Sequence, residues 1–315
     1  MQGSIEYKRV PALPETGVAS SHFPTFAWGV LVYNVAVILW GALVRATGSG
    51  AGCGGHWPLC NGQVLPEINQ AKTQVEFIHR MMSGVALIAV IALFTWAWRA
   101  FPKEHPARRW ANWSMLFIVT EALLGAALVL FGYVSQDQSA GRVISLSLHL
   151  VNTFALLASL TLTARWSSVV EAPKTEANKS WKLWFAIALV ILTAIAGAIT
   201  ALGDTLFPAA TVADDFAAGA SLLIRLRVIH PALSLAAAAY LVVLVMPGLR
   251  TGLAPRMRMI SLALLGIVGT QIAAGLLTLV LRAPLAMQMV HLLVADALWV
   301  TLILYASEWR HGGAC

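Results

Sequence analysis

The sequence predicts an all-α, polytopic membrane protein, with eight transmembrane helices arranged as two four-helix bundles related by a pseudo-two-fold axis. Three observations predict it. The 315 residues are 59% hydrophobic and only 11% charged, against about 25% charge in an ordinary soluble domain. Mean hydropathy is +0.76, and several apolar stretches reach the roughly 20 residues that cross a bilayer as a helix. The second half of the chain also repeats the first.

The spans fall at 26–46, 77–99, 111–133, 143–165, 182–202, 223–246, 258–281 and 286–307. None contains a polar run, so each can satisfy its backbone internally as a helix in lipid. They divide the chain into a tail (1–25), a first bundle (26–165), a linker (166–181), a second bundle (182–307) and a final tail (308–315). The first tail is polar, without the apolar core of a cleavable signal peptide, and none is expected.

The net charge is +7 and the isoelectric point about 9.7. In a soluble chain that balance would suggest nucleic acid. Here the positive residues sit in short loops between apolar spans, so no nucleic-acid partner is expected. Placing the N-terminus in the cytoplasm puts fourteen Lys and Arg residues inside, among them Lys8, Arg9, Lys174, Lys179 and Arg310, and seven outside: Arg45, Lys72, Arg80, Arg142, Arg225, Arg227 and Arg282. The positive-inside rule favours that orientation, with both termini cytoplasmic. The outer seven lie mostly within a turn or two of a helix end, where anionic ligand groups could meet them.

The repeat appears in four places. Thr120-Glu121-Ala-Leu-Leu-Gly125 matches Thr270-Gln271-Ile-Ala-Ala-Gly275, and Glu76-Phe-Ile-His79 matches Arg227-Val-Ile-His230. His149-Leu150 matches His291-Leu292, and Gly41-Ala-Leu-Val matches Gly197-Ala-Ile-Thr. The offsets, in chain order, are 156, 151, 150 and 142 residues, which drift smoothly. Four spans restore the orientation, so the axis runs along the membrane normal.

Of eight histidines, His22, His56, His105 and His311 fall in loops or tails, while His79, His149, His230 and His291 fall inside spans. An ionisable side chain within a span is a functional candidate. A single one could equally be an interhelical hydrogen bond; four in repeat-equivalent positions argue against that. All four are expected within roughly 10 Å of the outer surface, at about 1.5 Å per residue. Two helices per half thus offer one imidazole each at a common level. That arrangement suits axial ligation of a haem between helices. A zinc or copper site would want three or four ligands converging on one point. Gly84, Gly125 and Gly275 would let a ring approach the backbone, or let helices pack closely.

The halves are not equivalent. Glu76 shares a helix face with His79, and its counterpart is Arg227. Arg225 and Arg227 are placed to neutralise haem propionates. Glu76 cannot do so; it is a candidate base, proton conduit or stabiliser of positive charge, or else an ion-pair partner of Arg80. The first half is therefore expected to host a substrate and the second a permanent cofactor. The first outer loop, Arg45 to Gly62, is rich in glycine and carries Cys53 and Cys60. On an oxidising face they suit a disulfide closing a small loop, or a redox-active dithiol. Cys315 is expected to be a free thiol on the inner side.

With these residues in hand, the chain resembles the haem A synthase family over nearly its whole length. The markers are Gly41-Ala-Leu-Val-Arg45-Ala-Thr-Gly-Ser-Gly50, Trp57-Pro-Leu-Cys60-Asn-Gly, Glu76-Phe-Ile-His79-Arg80, and His149, His230 and His291. The cysteine pair looks like that of bacterial members. The resemblance implies an oxidoreductase that converts haem O to haem A, oxidising the C8 methyl to a formyl group by successive hydroxylations through a hydrated aldehyde. It implies that His230 and His291 hold haem B as cofactor. His79 and His149 would flank the haem O substrate, with Glu76 beside it and needed for activity. It also implies an electron donor of unknown identity, with a haem O synthase and cytochrome oxidase assembly factors as neighbours in the cell membrane. One feature departs from some members: the loop 201–221 has no second cysteine pair. The four histidines alone also permit a di-haem b-type electron carrier. A transporter, which would want polar residues at mid-membrane, is disfavoured because only Glu121 and Gln271 come close.

Overall fold

The computed structural model describes residues 22–67, 69–169, 180–207, 222–250 and 253–311. The charges of Lys8, Arg9, Lys174 and Lys179, the thiol of Cys315 and most of the loop 201–221 lie outside these residues. Among the described residues the chain is helical apart from short loops. The helices are α1 (His22–Ala46), α2 (Ala71–Ala100), α3 (Pro106–Leu130), α4 (Ala140–Ser167) and α5 (Trp181–Leu206). A short α6 (Leu222–Arg225) and a 3₁₀ turn (Leu226–Val228) lead into α7 (Ile229–Arg250), followed by α8 (Pro255–Val280) and α9 (Leu285–His311). Eight helices among the described residues are long and apolar enough to cross a membrane, and the chain is a multi-pass membrane protein.

Local chemistry sets the helix ends. Pro106 and Pro255 occupy first-turn positions, where a missing N–H costs nothing. His105 caps α3 by accepting from the Ala107 N–H at 3.2 Å. Ser139 caps α4 by accepting from the Arg142 N–H at 3.2 Å. Pro231 acts differently. It can give no N–H to the residue 227 carbonyl, and the backbone just before it tightens into the 3₁₀ turn Leu226–Val228. The equivalent stretch of α2 carries Arg80 at that position and runs unbroken.

Several boundaries differ from the sequence expectation. The second span was expected to begin at 77, but α2 begins at Ala71. The polar residues of its first turn hid the start from a hydropathy count. Glu76 and His79 are therefore both well inside the helix. His22 opens α1 and His311 closes α9, where tail positions were expected.

The helices pack as two closed rings. In the first, α1 meets α2, α2 meets α3, α3 meets α4, and α4 returns to α1. In the second, α5, α7, α8 and α9 repeat that order. The rings share a seam in which α1 and α4 pack on α5 and α9. Buried residues concentrate there: Leu157, Leu160, Leu302 and Tyr305 are each at most 1% exposed. Trp299 stacks on Phe154 at 4.6 Å and donates its Nε1–H to the Phe154 carbonyl at 2.8 Å. Away from the seam, Ile88, Val243 and Leu276 present apolar side chains outward, as lipid-facing residues do.

Polar ties pin the seam at both ends. On one face Arg45 of α1 donates to the Ala201 carbonyl at 2.6 Å and Thr205 Oγ1 at 2.8 Å, both on α5. It also reaches Gln288 Oε1 of α9 at 3.3 Å. On the opposite face Glu308 of α9 pairs with Arg165 Nε of α4 at 2.6 Å and Arg256 Nε of α8 at 3.1 Å.

Candidate functional site

Each of the four in-span histidines lies against a glycine of the preceding long helix. A Cβ on Gly41 would stand 3.0 Å from His79 Cε1, one on Gly197 2.9 Å from His230 Cε1, and one on Gly275 3.0 Å from His291 Cε1. At Gly125 the gap to His149 Cε1 is looser, 3.9 Å. The glycines belong to the repeated segments, so the same cradle recurs four times. A methyl group would displace the ring at three of the four positions. Of these glycines, sequence reading flagged Gly125 and Gly275 as cradles; Gly84, also flagged, has nothing within 4 Å of an added Cβ.

His230 and His291 face one another across the second ring, centroids 6.2 Å apart and planes at 86°. A metal–imidazole bond is about 2 Å, and the ring nitrogen lies about 1 Å from the centroid. Two imidazoles on opposite sides of one metal therefore hold their centroids about 6 Å apart. An edge-to-face aromatic pair spans the same range, so the nitrogens discriminate. The buried Nδ1 atoms of His79, His149 and His291 have no hydrogen-bond partner, an expensive state unless a ligand completes it. His230 Nδ1 lies 3.0 Å from the Thr193 carbonyl. That contact fixes the N–H on Nδ1 and leaves Nε2 free to ligate. Among the described residues no three His, Cys, Asp or Glu side chains could hold a metal together. The donor set is thus two imidazoles per ring, which fits haem.

His79 and His149 occupy the first ring, on α2 and α4, within electrostatic reach of one another. They lie eight residues past Ala71 and nine past Ala140, about 12–14 Å along their helices. Behind His149 stands Glu121 of α3, its Oε1 3.4 Å from Nδ1. Behind His291 stands the repeat-equivalent Gln271, its Nε2 3.3 Å from His291 Nε2.

Glu76 is buried, 3% exposed. Its Oε1 accepts from Arg80 Nη2 at 2.5 Å and Nε at 3.2 Å. Its Oε2 accepts from the Cys53 N–H at 2.8 Å. Arg80 in turn donates to the His56 and Leu59 carbonyls at 2.6 and 2.7 Å. Cys53 and Cys60 form a disulfide and are almost fully buried. Thr73 donates to the Gly52 carbonyl at 2.8 Å, and Gly52 packs so tightly that a Cβ would lie 2.4 Å from the Lys72 carbonyl. The loop is thereby bolted onto the first two turns of α2, directly above His79. The ion pair of Glu76 with Arg80 exists, and the carboxylate sits one turn before His79 on α2.

The arginines fall differently from expectation. Arg225 is exposed. Arg227 lies 3.2 Å from Asp204 Oδ1 and donates to the Phe207 carbonyl at 3.2 Å, so a carboxylate of this chain already neutralises it. Arg45 and Arg142 were named only among the seven outer basic residues that anionic groups could meet. Arg142 is 3% exposed and donates to the Ser135 and Asp137 carbonyls at 2.6 and 2.7 Å, with Nε unpartnered. Arg45 bonds neutral oxygens only, and the two guanidinium groups feel one another's charge. Their signal in sequence was position alone, both at helix ends on the disulfide face. The remaining histidines are structural or peripheral. His105 caps α3, stacks on Phe101 at 4.5 Å and meets the Val169 carbonyl at 3.0 Å.

Comparison with known proteins matches this arrangement to one family. Residues 24–303 match the COX15-CtaA model, described as cytochrome oxidase assembly protein. The chain is 42% identical over 302 residues to a protohaem IX farnesyltransferase of Thermus thermophilus, covering 94% of this chain and 50% of that protein. It is 43% identical over 107 residues to a haem A synthase of Geobacillus kaustophilus, covering 34% of each. With a haem A synthase of Bacillus licheniformis it shares 43% over 96 residues, 30% of this chain and 32% of that one. The chain spans about half the length of the Thermus relative. With the match to 24–303 covering most of its length, the chain belongs to the COX15-CtaA family of cytochrome oxidase assembly proteins.

Proposed function

We propose that this chain is a haem A synthase, an oxidoreductase that takes haem O and converts its C8 methyl group to a formyl group by successive hydroxylations. The facing of His230 and His291 at 6.2 Å carries the reading, supported by the four glycine cradles and by the relatives named haem A synthase. In this reading residues 182–307 hold haem B on His230 and His291. Residues 26–165 receive haem O between His79 and His149. When bound, haem B supplies one-electron chemistry.

The chain's own residues orient and neutralise. Gly41, Gly125, Gly197 and Gly275 let the imidazoles lie flush with the helices. Thr193 holds His230 with Nε2 inward. Arg142, buried, and Arg45, half-buried, neither with a carboxylate bonded to it, are better placed than Arg225 and Arg227 to receive propionates. Glu76 Oε2 is the proton-accepting atom: Oε1 is saturated by two Arg80 bonds, whereas Oε2 carries only the Cys53 N–H. The disulfide-bonded loop, held by Arg80, covers that atom and excludes water.

The count of Lys and Arg supports a disulfide face outside the cell membrane and both termini in the cytoplasm. A farnesyltransferase that makes haem O is the expected neighbour. The Thermus relative bears that enzyme's name and combines a region like this chain with as much again. Cytochrome oxidase assembly would receive the product, and the electron donor is a separate partner.

The deciding experiment co-expresses the chain with a haem O-forming farnesyltransferase and extracts the haem for chromatography and mass analysis. Haem A in the extract is expected. An extract holding only haem B would sink the proposal and leave a b-type electron carrier.

A further inference from the structure

The two rings place different groups behind repeat-equivalent histidines. His149 lies over α3 between Glu121 and Gly125; His291 lies over α8 between Gln271 and Gly275. Glycine and acid, or glycine and amide, stand four residues apart in both, so they share one helix face. Glu121 is not a stray carboxylate in a membrane helix. Its Oε2 accepts from Asn152 Nδ2 at 2.6 Å, and its Oε1 is hydrogen-bonded by the Thr153 hydroxyl. Asn152 is itself held, with Oδ1 accepting from Thr120 at 2.6 Å and Nδ2 also donating to the Phe117 carbonyl at 2.9 Å. Those two bonds aim the amide NH₂ at the carboxylate. With two donors fixed, Oε1 still has a lone pair, and it stands 3.4 Å from His149 Nδ1. The contact is on the Nδ1 side of His149, whereas Gln271 meets His291 at Nε2.

Resting on the haem reading above, we propose that Glu121 is a positioning residue for the first haem. It orients His149 for ligation through Nε2 and makes that imidazole a stronger donor than His291. The physical reason is the partner's charge. A carboxylate 3.4 Å from Nδ1 stabilises positive charge on the imidazole and on an iron it holds, whereas the carboxamide beside His291 is neutral and does so far less. A stronger axial donor stabilises the oxidised iron and lowers its reduction potential. The geometry thus assigns unequal electron demand to two otherwise matched sites, with the electron-richer iron in the ring that also carries Glu76.

The test uses the full chain purified in detergent and reconstituted with haem B as probe. A His230→Ala/His291→Ala background confines the probe to the first ring. Glu121→Gln, which installs the group found at position 271, is expected to raise the midpoint potential of that haem and to leave its stoichiometry unchanged. The reciprocal Gln271→Glu, in a His79→Ala/His149→Ala background, is expected to lower the potential of the second haem. Redox titration followed by visible absorption reads both. Equal potentials before and after both exchanges would overturn the role of Glu121 and leave the haem reading intact. A first-ring background that binds no haem B would overturn the first pair as a haem site, and this proposal with it. If Glu121→Gln does not accumulate, Gln271→Glu decides: no downward shift refutes the proposal.

Discussion

In the first ring α2 runs unbroken through Glu76, His79 and Arg80, and a disulfide-bonded loop is bolted to its first turns. In the second ring Pro231 follows His230 where Arg80 follows His79, the backbone tightens into a 3₁₀ turn, and Arg227 faces Asp204. The histidines and their glycines are the same; the surroundings at the disulfide face are not. One scaffold, copied twice, therefore keeps its histidine–glycine cradles while the contacts at the disulfide face diverge. Constraint is strictest where an imidazole must lie within van der Waals distance of a backbone, and loosest one turn further out.

The largest test of this contrast removes the ligands. His230→Ala or His291→Ala is expected to abolish haem B binding, read as loss of the b-type absorbance in the purified chain. Retention of full haem content by both variants would show that the pair is not axial. Next comes Glu76→Ala. It strips the partner from a mostly buried Arg80, a change worth roughly 3 kcal/mol in favourable cases. Haem A formation should stop while haem B in the second ring stays, because Glu76 touches only the first. Normal haem A output from this variant would remove Glu76 from the chemistry.

A third test sets glycine against glycine. Gly197→Ala puts a methyl 2.9 Å from His230 Cε1, and overpacking of that kind costs about 1–3 kcal/mol, so a tenfold or greater loss of haem B affinity is expected. Gly125→Ala, with 3.9 Å to spare, should leave haem binding within about twofold. Equal losses would mean that the cradles do not set ring position. The smallest effect is expected at a helix start. Ser139→Ala removes the cap of α4 at a cost of about 1 kcal/mol. A slightly lower melting temperature with unchanged spectra is the expected result.

The spans, the repeat and the four histidines were legible in the sequence because they depend on local composition and spacing. An ionisable residue in an apolar run stands out without knowledge of its neighbours. What escaped was pairing across distance. Arg227 looked like a propionate ligand until Asp204, 23 positions earlier, appeared beside it. The Arg80 partner of Glu76 was readable at four residues' spacing, but the Cys53 N–H that holds Oε2 was not. Arg45 carried no mark that it would cross from one ring to the other. The start of α2 was missed for another reason: its first turn is polar, stabilised by the loop packed on it and not by lipid. Asp296 shows the same limit. It is 1% exposed with neither oxygen hydrogen-bonded, yet in the sequence it is one acid in an apolar helix.

On the proposed reading, with a haem in each ring, the seam pinned by Arg45 on one face and Glu308 on the other has a bearing on electron traffic. Exchange between two redox centres falls steeply with separation. A joint free to rock would make that rate fluctuate with every membrane undulation. Clamped at both ends, the seam works as a spacer of constant thickness. Any electron passing between the rings crosses the same gap on every turnover.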